Sequence, residues 1–209
     1  DAMSFTKNFL QERESNPLQS SKSISQISNS YIVAESDDGL ILIDQHAAHE
    51  RVRYEELMNQ FENEQKSIQP LLVPLQMEFT NPEALFIVEN IEIFQNLGFE
   101  ISPFGGKTFI INTVPSFLSG EDIDEVVKGV LDDIMNEKSP TKFQGKSEAI
   151  IHYMACRSAI KFGQKLTISE MQSLLMKLEK LKRPYTCPHG RPTMIKLTLS
   201  ELERMFGRK

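Results

Sequence analysis

Residues 31–50 read YIVAESDDGLILIDQHAAHE. Together with Ser30, the run Tyr31–Glu35 has the aromatic and β-branched content of a strand. Asp37-Asp38-Gly39 is a turn signal, and Leu40-Ile41-Leu42-Ile43 is a second apolar run, so residues 30–43 predict a hairpin. The pattern then changes. From Ala47 to Gln65 there is no Pro or Gly, and Val52, Leu57, Met58 and Phe61 form an apolar stripe between Glu and Arg residues. That spacing predicts a long helix over 47–65. Strands that pair locally and then feed a helix place the chain in the α+β class.

Reading outward, residues 75–136 predict a second α/β unit. Its elements are a strand at 75–79, a helix at 82–97, strands at 99–102 and 108–114 around Gly105-Gly106, and a helix at 123–136. Asn81-Pro82-Glu83 is a sound helix start, with a capping residue, a proline in the first turn and an acid behind it. Helices are expected at 147–162 and 169–180, then a strand at 194–199 and a short helix at 200–206. The first residues are rich in Ser, Gln, Asn and Glu and read as a flexible lead-in. The expected organisation is a lead-in at 1–22, a discontinuous subdomain at 23–68 and 141–209, and a smaller subdomain inserted at 69–140.

Charge supports that division. The 209 residues carry a formal net charge of −6, but 142–209 hold 14 Lys/Arg against 5 Asp/Glu, while 67–141 hold 12 Asp/Glu against 3 Lys. The overall pI of about 5.3 argues against a dedicated nucleic-acid coat. The basic third still permits a local polyanion-binding face, with Lys161, Lys165 and Arg191 as candidate phosphate contacts. No apolar run approaches the roughly 20 residues that span a bilayer, so no membrane association is expected. Two cysteines cannot build a disulfide framework. A cysteine near histidine in a reducing compartment points instead to metal or catalysis.

Metal-ligating residue types gather in two short motifs. In Asp44-Gln45-His46-Ala47-Ala48-His49-Glu50, His46 and Glu50 are four apart and share a helix face. A nitrogen and a carboxylate so placed suit Zn²⁺ or Mn²⁺, and Asp44 precedes them at the strand end. Alternatively, Asp44 is simply an N-cap and the other two are solvated. Cys187-Pro188-His189-Gly190-Arg191-Pro192 holds a thiol and an imidazole two residues apart in a stiff clip. Cys156, in Ala155-Cys156-Arg157, offers a further soft donor. Together His46, Glu50, Cys156, Cys187 and His189, with Asp44 nearby, are enough for two cations sharing a carboxylate.

These motifs carry a resemblance. Asp44-Gln45-His46-Ala47, followed by Glu50 and Glu55, resembles the endonuclease motif of the MutL family of DNA mismatch-repair proteins. Ala155-Cys156-Arg157 and the Cys187–Pro192 clip are similar to the family's other metal-site motifs, and Phe206-Gly207-Arg208 to its C-terminal signature. Gln69-Pro70-Leu71-Leu72-Val73-Pro74 resembles the sliding-clamp-binding motif of the bacterial members, with Gln69, Leu72, Val73 and Pro74 as its contacts.

The resemblance implies a C-terminal domain in which the discontinuous subdomain dimerises and the insert regulates. It implies metal-dependent nicking of one strand of duplex DNA, with Asp44 and Glu50 catalytic. His46, Glu50, Cys156, Cys187 and His189 would be the metal ligands. Zn²⁺ is implied as a structural or regulatory ion and Mn²⁺ as the activity metal. The implied partners are a second copy of the chain, duplex DNA bound weakly, the replication clamp, a mismatch-recognition protein and the family's N-terminal ATPase. The setting is the bacterial cytoplasm, in association with the nucleoid. Two other readings stay open: a dimerisation scaffold whose zinc is only structural, and a zinc hydrolase of small molecules.

Overall fold

The hairpin at residues 30–43 is the middle of a four-stranded antiparallel sheet. β1 (Lys22–Ile27), β2 (Tyr31–Ser36), β3 (Gly39–Asp44) and β7 (Met194–Thr198) lie in the order β1-β2-β3-β7. The computed structural model describes Leu18 and residues 21–63, 66–136, 143 and 145–208. The chain forms two compact units, Asp1–Val52 with Ile160–Lys209, and Arg53–Ala159. The charge boundaries at 68 and 141 mark where composition changes. The unit boundaries mark where side chains change core.

In the first unit, alternation sorts the sheet's two faces. The rows Ile32–Ile43–Met194 and Ala34–Ile41 point inward, and every one of these residues is buried. They pack with Ala48 and Val52, and with Met171, Leu174, Leu175 and Leu178 of α6 (Ile168–Glu179). The opposite face carries Val33–Leu42–Ile195 and Leu40–Leu197 in register, and none of these five belongs to the core. Gly39 has φ +143°, and a Cβ there would sit 2.2 Å from the Leu197 carbonyl oxygen. Glycine is thus what lets β7 close on β3. Two features differ from expectation: β1 is an additional strand, and Leu18 of the expected lead-in is buried in this core. The rest of residues 1–20 lies outside the described residues.

The predicted helix is α1 (Gln45–Glu62), which carries the chain from the first core, through Val52, into the second, through Leu57. The second unit holds a three-stranded antiparallel sheet in the order β4-β6-β5, from β4 (Ile68–Glu78), β5 (Glu100–Gly105) and β6 (Thr108–Pro115). Edge-on aromatic pairs Phe79–Phe109 and Phe94–Phe99 fill its core. The core also takes Val127, Val130 and Leu131 of α4 (Ile123–Met135) and Ile150, Ile151 and Met154 of α5 (Lys146–Arg157). Helices α4 and α5 meet at Gly129, where a Cβ would lie 3.1 Å from the Arg157 guanidinium. That guanidinium is paired through two bonds of 2.7 Å to Asp133.

Local deviations have local causes. The helix expected at 82–97 is two, α2 (Asn81–Glu89) and α3 (Ile91–Asn96), because Asn90 leaves helical geometry and its amide donates to the Phe86 carbonyl. The cap is Thr80 rather than Asn81, with the Glu83 carboxylate accepting from the Thr80 N–H at 2.7 Å. The helix expected at 147–162 stops at Arg157. The last helix is α7 (Leu199–Met205), capped by Thr198 and Glu201.

Candidate metal centre

Asp44 is the last residue of β3 and the cap of α1. Its Oδ1 accepts the Ala47 N–H at 3.0 Å, and its own N–H donates to the Thr193 carbonyl at 2.9 Å. Strand pairing therefore fixes where the helix begins, and His46 and Glu50 follow on one face of its first turns.

Glu50 is buried, 3% exposed, and each carboxylate oxygen meets an imidazole. Oε1 lies 3.2 Å from His46 Nε2, and Oε2 lies 3.3 Å from His189 Nδ1. Cys187 Sγ, also buried, is 4.0 Å from the same His189 nitrogen. One ligand atom each from Glu50, Cys187 and His189 falls within 4.8 Å of the other two.

The Cys187–Pro192 stretch closes on itself to present these donors. The Cys187 N–H donates to the Arg191 carbonyl, Gly190 N–H returns to the Cys187 carbonyl, and Thr186 bridges Pro192. Gly190 takes φ +84°, the left-handed turn that glycine adopts without strain. Arg51, one residue after Glu50, donates through Nε to the Thr186 carbonyl and ties the clip to α1.

Electrostatics follow from this packing. Burial pushes the Glu50 carboxyl up, but the hydrogen bonds from His189 and His46 outweigh it and hold it well below the usual carboxylate range. His46 is raised, first by its bond to Glu50, against burial, with help from the Ile160 carbonyl and the Asp44 charge. A buried carboxylate with a nitrogen on each oxygen and a thiol beside it is a mixed O, N, S donor set. Such a set suits Zn²⁺ and can be shared between two cations. The residues present fit a metal.

Cys156 is half-buried on the last turn of α5, in the second unit. Gln69, Leu72, Val73 and Pro74 are inside β4, not on a connector. The pairing slips between Pro70, opposite Thr113, and Leu75, opposite Ile111, so 71–74 bulge from an edge strand. Leu72 and Val73 are 104% and 77% exposed there. Lys161, Lys165 and Arg191 are exposed in the first unit.

Three contributors escape a reading by motif. Gln45 is fully buried, and its amide donates to the carbonyls of Asn29, at 2.8 Å, and Gln164, at 3.0 Å. Ile160 accepts from His46 Nδ1 through its carbonyl, at 2.8 Å, and donates its N–H to His49 Nδ1, at 2.9 Å. His49 stands in the motif with no role that spacing suggests. Main-chain partners carry no residue-type signal, so only Gln45, inside Asp44-Gln45-His46, could have been singled out.

An α+β fold of two units, with an acid, imidazole and thiol cluster at the start of the helix they share, defines the class. The chain belongs to the family described as the MutL C terminal dimerisation domain, which matches residues 24–166. It is 38% identical over 186 residues to the DNA mismatch repair protein MutL of Halothermothrix orenii, covering 89% of this chain and 29% of that protein. The corresponding protein of Clostridium botulinum strain Langeland is 41% identical over 187 residues, 90% of this chain and 28% of that one. That of Pseudomonas syringae pv. tomato is 39% identical over 185 residues, 88% and 29%. The chain thus spans less than a third of the length of these relatives.

Proposed function

We propose that this chain is the metal-dependent, strand-nicking endonuclease and dimerisation part of a DNA mismatch-repair protein. The observation that carries the proposal is the Glu50 carboxylate, buried with an imidazole on each oxygen and the Cys187 thiol alongside. His46, Glu50, Cys187 and His189 would hold the metal, with Cys156 a further soft donor as the family resemblance implies. A divalent ion held there would supply an activated water and stabilise charge developing on the phosphodiester. Glu50 holds its charge in a buried position, and the clip fixes the Cys187 sulfur and His189. Asp44 spends Oδ1 on the helix cap, and Oδ2 is the oxygen assigned to take a proton from the attacking water. Zn²⁺ suits the thiolate, and Mn²⁺ suits the harder carboxylates as activity metal.

Supporting features lie around the site. The Val33–Leu42–Ile195 row on the outer sheet face is apolar and supports a homodimer through the first unit. Exposed Lys161, Lys165 and Arg191 support weak, salt-sensitive binding of duplex DNA. The displayed Leu72 and Val73 support capture by a sliding clamp, with Gln69 and Pro74 framing them. A mismatch-recognition protein and an N-terminal ATPase complete the proposed partners. Among the described residues no helix is long and apolar enough to cross a membrane. A cytoplasmic, nucleoid-associated setting belongs to the same proposal.

The cap favours a second reading, a dimerisation scaffold with structural zinc, because the Asp44 bond to Ala47 explains an acid at that position without chemistry. The test is nicking of supercoiled plasmid by the chain with Mn²⁺, beside zinc content. Glu50→Gln should stop nicking, and Cys187→Ser should lower tightly bound zinc. Wild-type nicking by Glu50→Gln, at equal folded fraction, would sink the catalytic reading. Unchanged zinc in Cys187→Ser would remove the clip from the site.

A further inference from the structure

The segment 160–166 has no regular secondary structure, yet side chains from the β1–α1 region fasten it repeatedly. Gln45 and Gln26 both donate to the Gln164 carbonyl, at 3.0 and 2.9 Å, and Gln26 Oε1 accepts the Leu166 N–H at 3.1 Å. Ser30 Oγ accepts the Gly163 N–H at 3.2 Å. Within the segment the Gln164 N–H returns to the Lys161 carbonyl at 3.2 Å, and Gly163 takes φ +86°. That closes a tight turn with Phe162 and Gly163 at its corners, and a left-handed second corner is where glycine belongs. The outcome of this anchoring is the display of one large apolar side chain: Phe162 is 64% exposed.

The ring has company. Tyr31, less exposed, meets it edge-on, with centroids 6.0 Å apart and planes at 84°. Of two rings so arranged, the one that presents its edge keeps both faces clear of the other. Lys161 precedes Phe162 and Lys165 follows it three residues on, both exposed. Tyr31 is also the residue opposite Asp44 in the β2–β3 pairing, so those two side chains leave the sheet on the same face. An aromatic pair with a lysine on either side therefore stands at the end of the sheet where the helix of the metal centre begins.

A second copy of the chain could cover the rings, but a two-fold contact centred here would bring the same lysines face to face. A DNA strand matches both features, with phosphates for the lysines and the flat face of a base for a ring. A base inside a perfect duplex is already stacked on both sides, so only a base out of the double helix can use the ring.

We propose that Phe162, braced by Tyr31, is a stacking platform for an unpaired base of a DNA strand, beside Asp44 and flanked by phosphate contacts from Lys161 and Lys165. The proposal rests on the reading of this chain as a DNA-nicking domain and adds a substrate class to it: a strand locally out of the duplex, in preference to a perfect duplex.

The chain contains no tryptophan, so Phe162→Trp places a single indole reporter on the platform. The metal-free chain is titrated with a dye-labelled single strand and with the matching perfect duplex, reading anisotropy and indole emission. Wild type should bind the single strand more tightly than the duplex. Phe162→Trp should bind it at least as tightly, with its indole emission quenched at saturation. Phe162→Ala should weaken single-strand binding by about 5–150-fold and erase the preference. Its slope of log affinity against log salt should stay that of wild type, because no phosphate contact is lost. Phe162→Leu, which keeps apolar bulk without a π face, should fall with Phe162→Ala. Wild-type single-strand affinity in Phe162→Ala, or unquenched indole in a saturated complex, would overturn the proposal. So would a Phe162→Ala chain that sediments as a monomer where wild type is a dimer, which would assign the ring to a second copy. Mn²⁺-dependent plasmid nicking is scored separately. Quenching and lost affinity in a chain that never nicks would defeat the nicking reading and leave the platform standing. Nicking and DNA binding indifferent to the ring would do the reverse.

Discussion

Asp44→Asn and Asp44→Ala separate a cap from a catalytic base. In the structure Oδ1 of Asp44 accepts the Ala47 N–H at 3.0 Å. Asn caps a helix about as well as Asp, so Asp44→Asn keeps that bond and should melt within a few tenths of a kcal/mol of wild type. Ala cannot cap, and Asp44→Ala should lose about 1 kcal/mol. For a chain of this length that is a fall in Tm of about 2–4 °C. Both variants lack the second carboxylate oxygen, so both should lose plasmid nicking while retaining most bound zinc. The assay is thermal melting and Mn²⁺-dependent nicking on the same preparations, with activity compared at equal folded fraction. Full nicking by Asp44→Asn would refute the catalytic assignment and leave Asp44 a cap. A melting point for Asp44→Asn as low as that of Asp44→Ala would refute the cap as the source of its stability.

Replacing Gln69, Leu72 and Val73 by Ala should abolish retention on an immobilised sliding clamp while changing stability by less than about 0.5 kcal/mol, because the two apolar side chains are exposed. Retention by the triple variant would leave the bulge without that role. Ile195→Arg with Leu42→Arg puts charge on the outer face of the first unit's sheet, and sedimentation should then show monomers. Dimers would move the interface elsewhere. Changing Lys161, Lys165 and Arg191 to Gln should flatten the dependence of log affinity for duplex DNA on log salt by about 0.9 for each phosphate no longer neutralised. An unchanged slope would make them ordinary solvated side chains.

What the sequence discloses depends on how local each cause is. The hairpin at 31–43 and α1 are legible because strand and helix periodicities lie within the segment itself. From sequence, β4 reads as beginning at Leu75 because Pro70 and Pro74 look like breaks. The strand in fact starts at Ile68, opposite Pro115, and tolerates the prolines by looping out 71–74. Asn90 ends α2 in a run that otherwise reads as continuous helix. The site divides in the same way. His46, Glu50 and the Cys187–Pro192 clip are legible through residue type and spacing. The start of the 160–166 segment reads as the end of a helix, and its pairing with Gln45, Gln26 and the two histidines spans more than a hundred positions of chain.

The Ile160 clamp is made of peptide, not side chain, and that affects how this site tolerates change over time. Both contacts at position 160 are main-chain, so they depend on the residue type there only through the apolar packing of Ile160 against the first unit's core. Proline is the exception, since it keeps the carbonyl that faces His46 but deletes the donor that faces His49. The burden of heredity falls instead on Gln45, a neutral residue whose amide no other standard side chain reproduces in both length and hydrogen-bonding pattern.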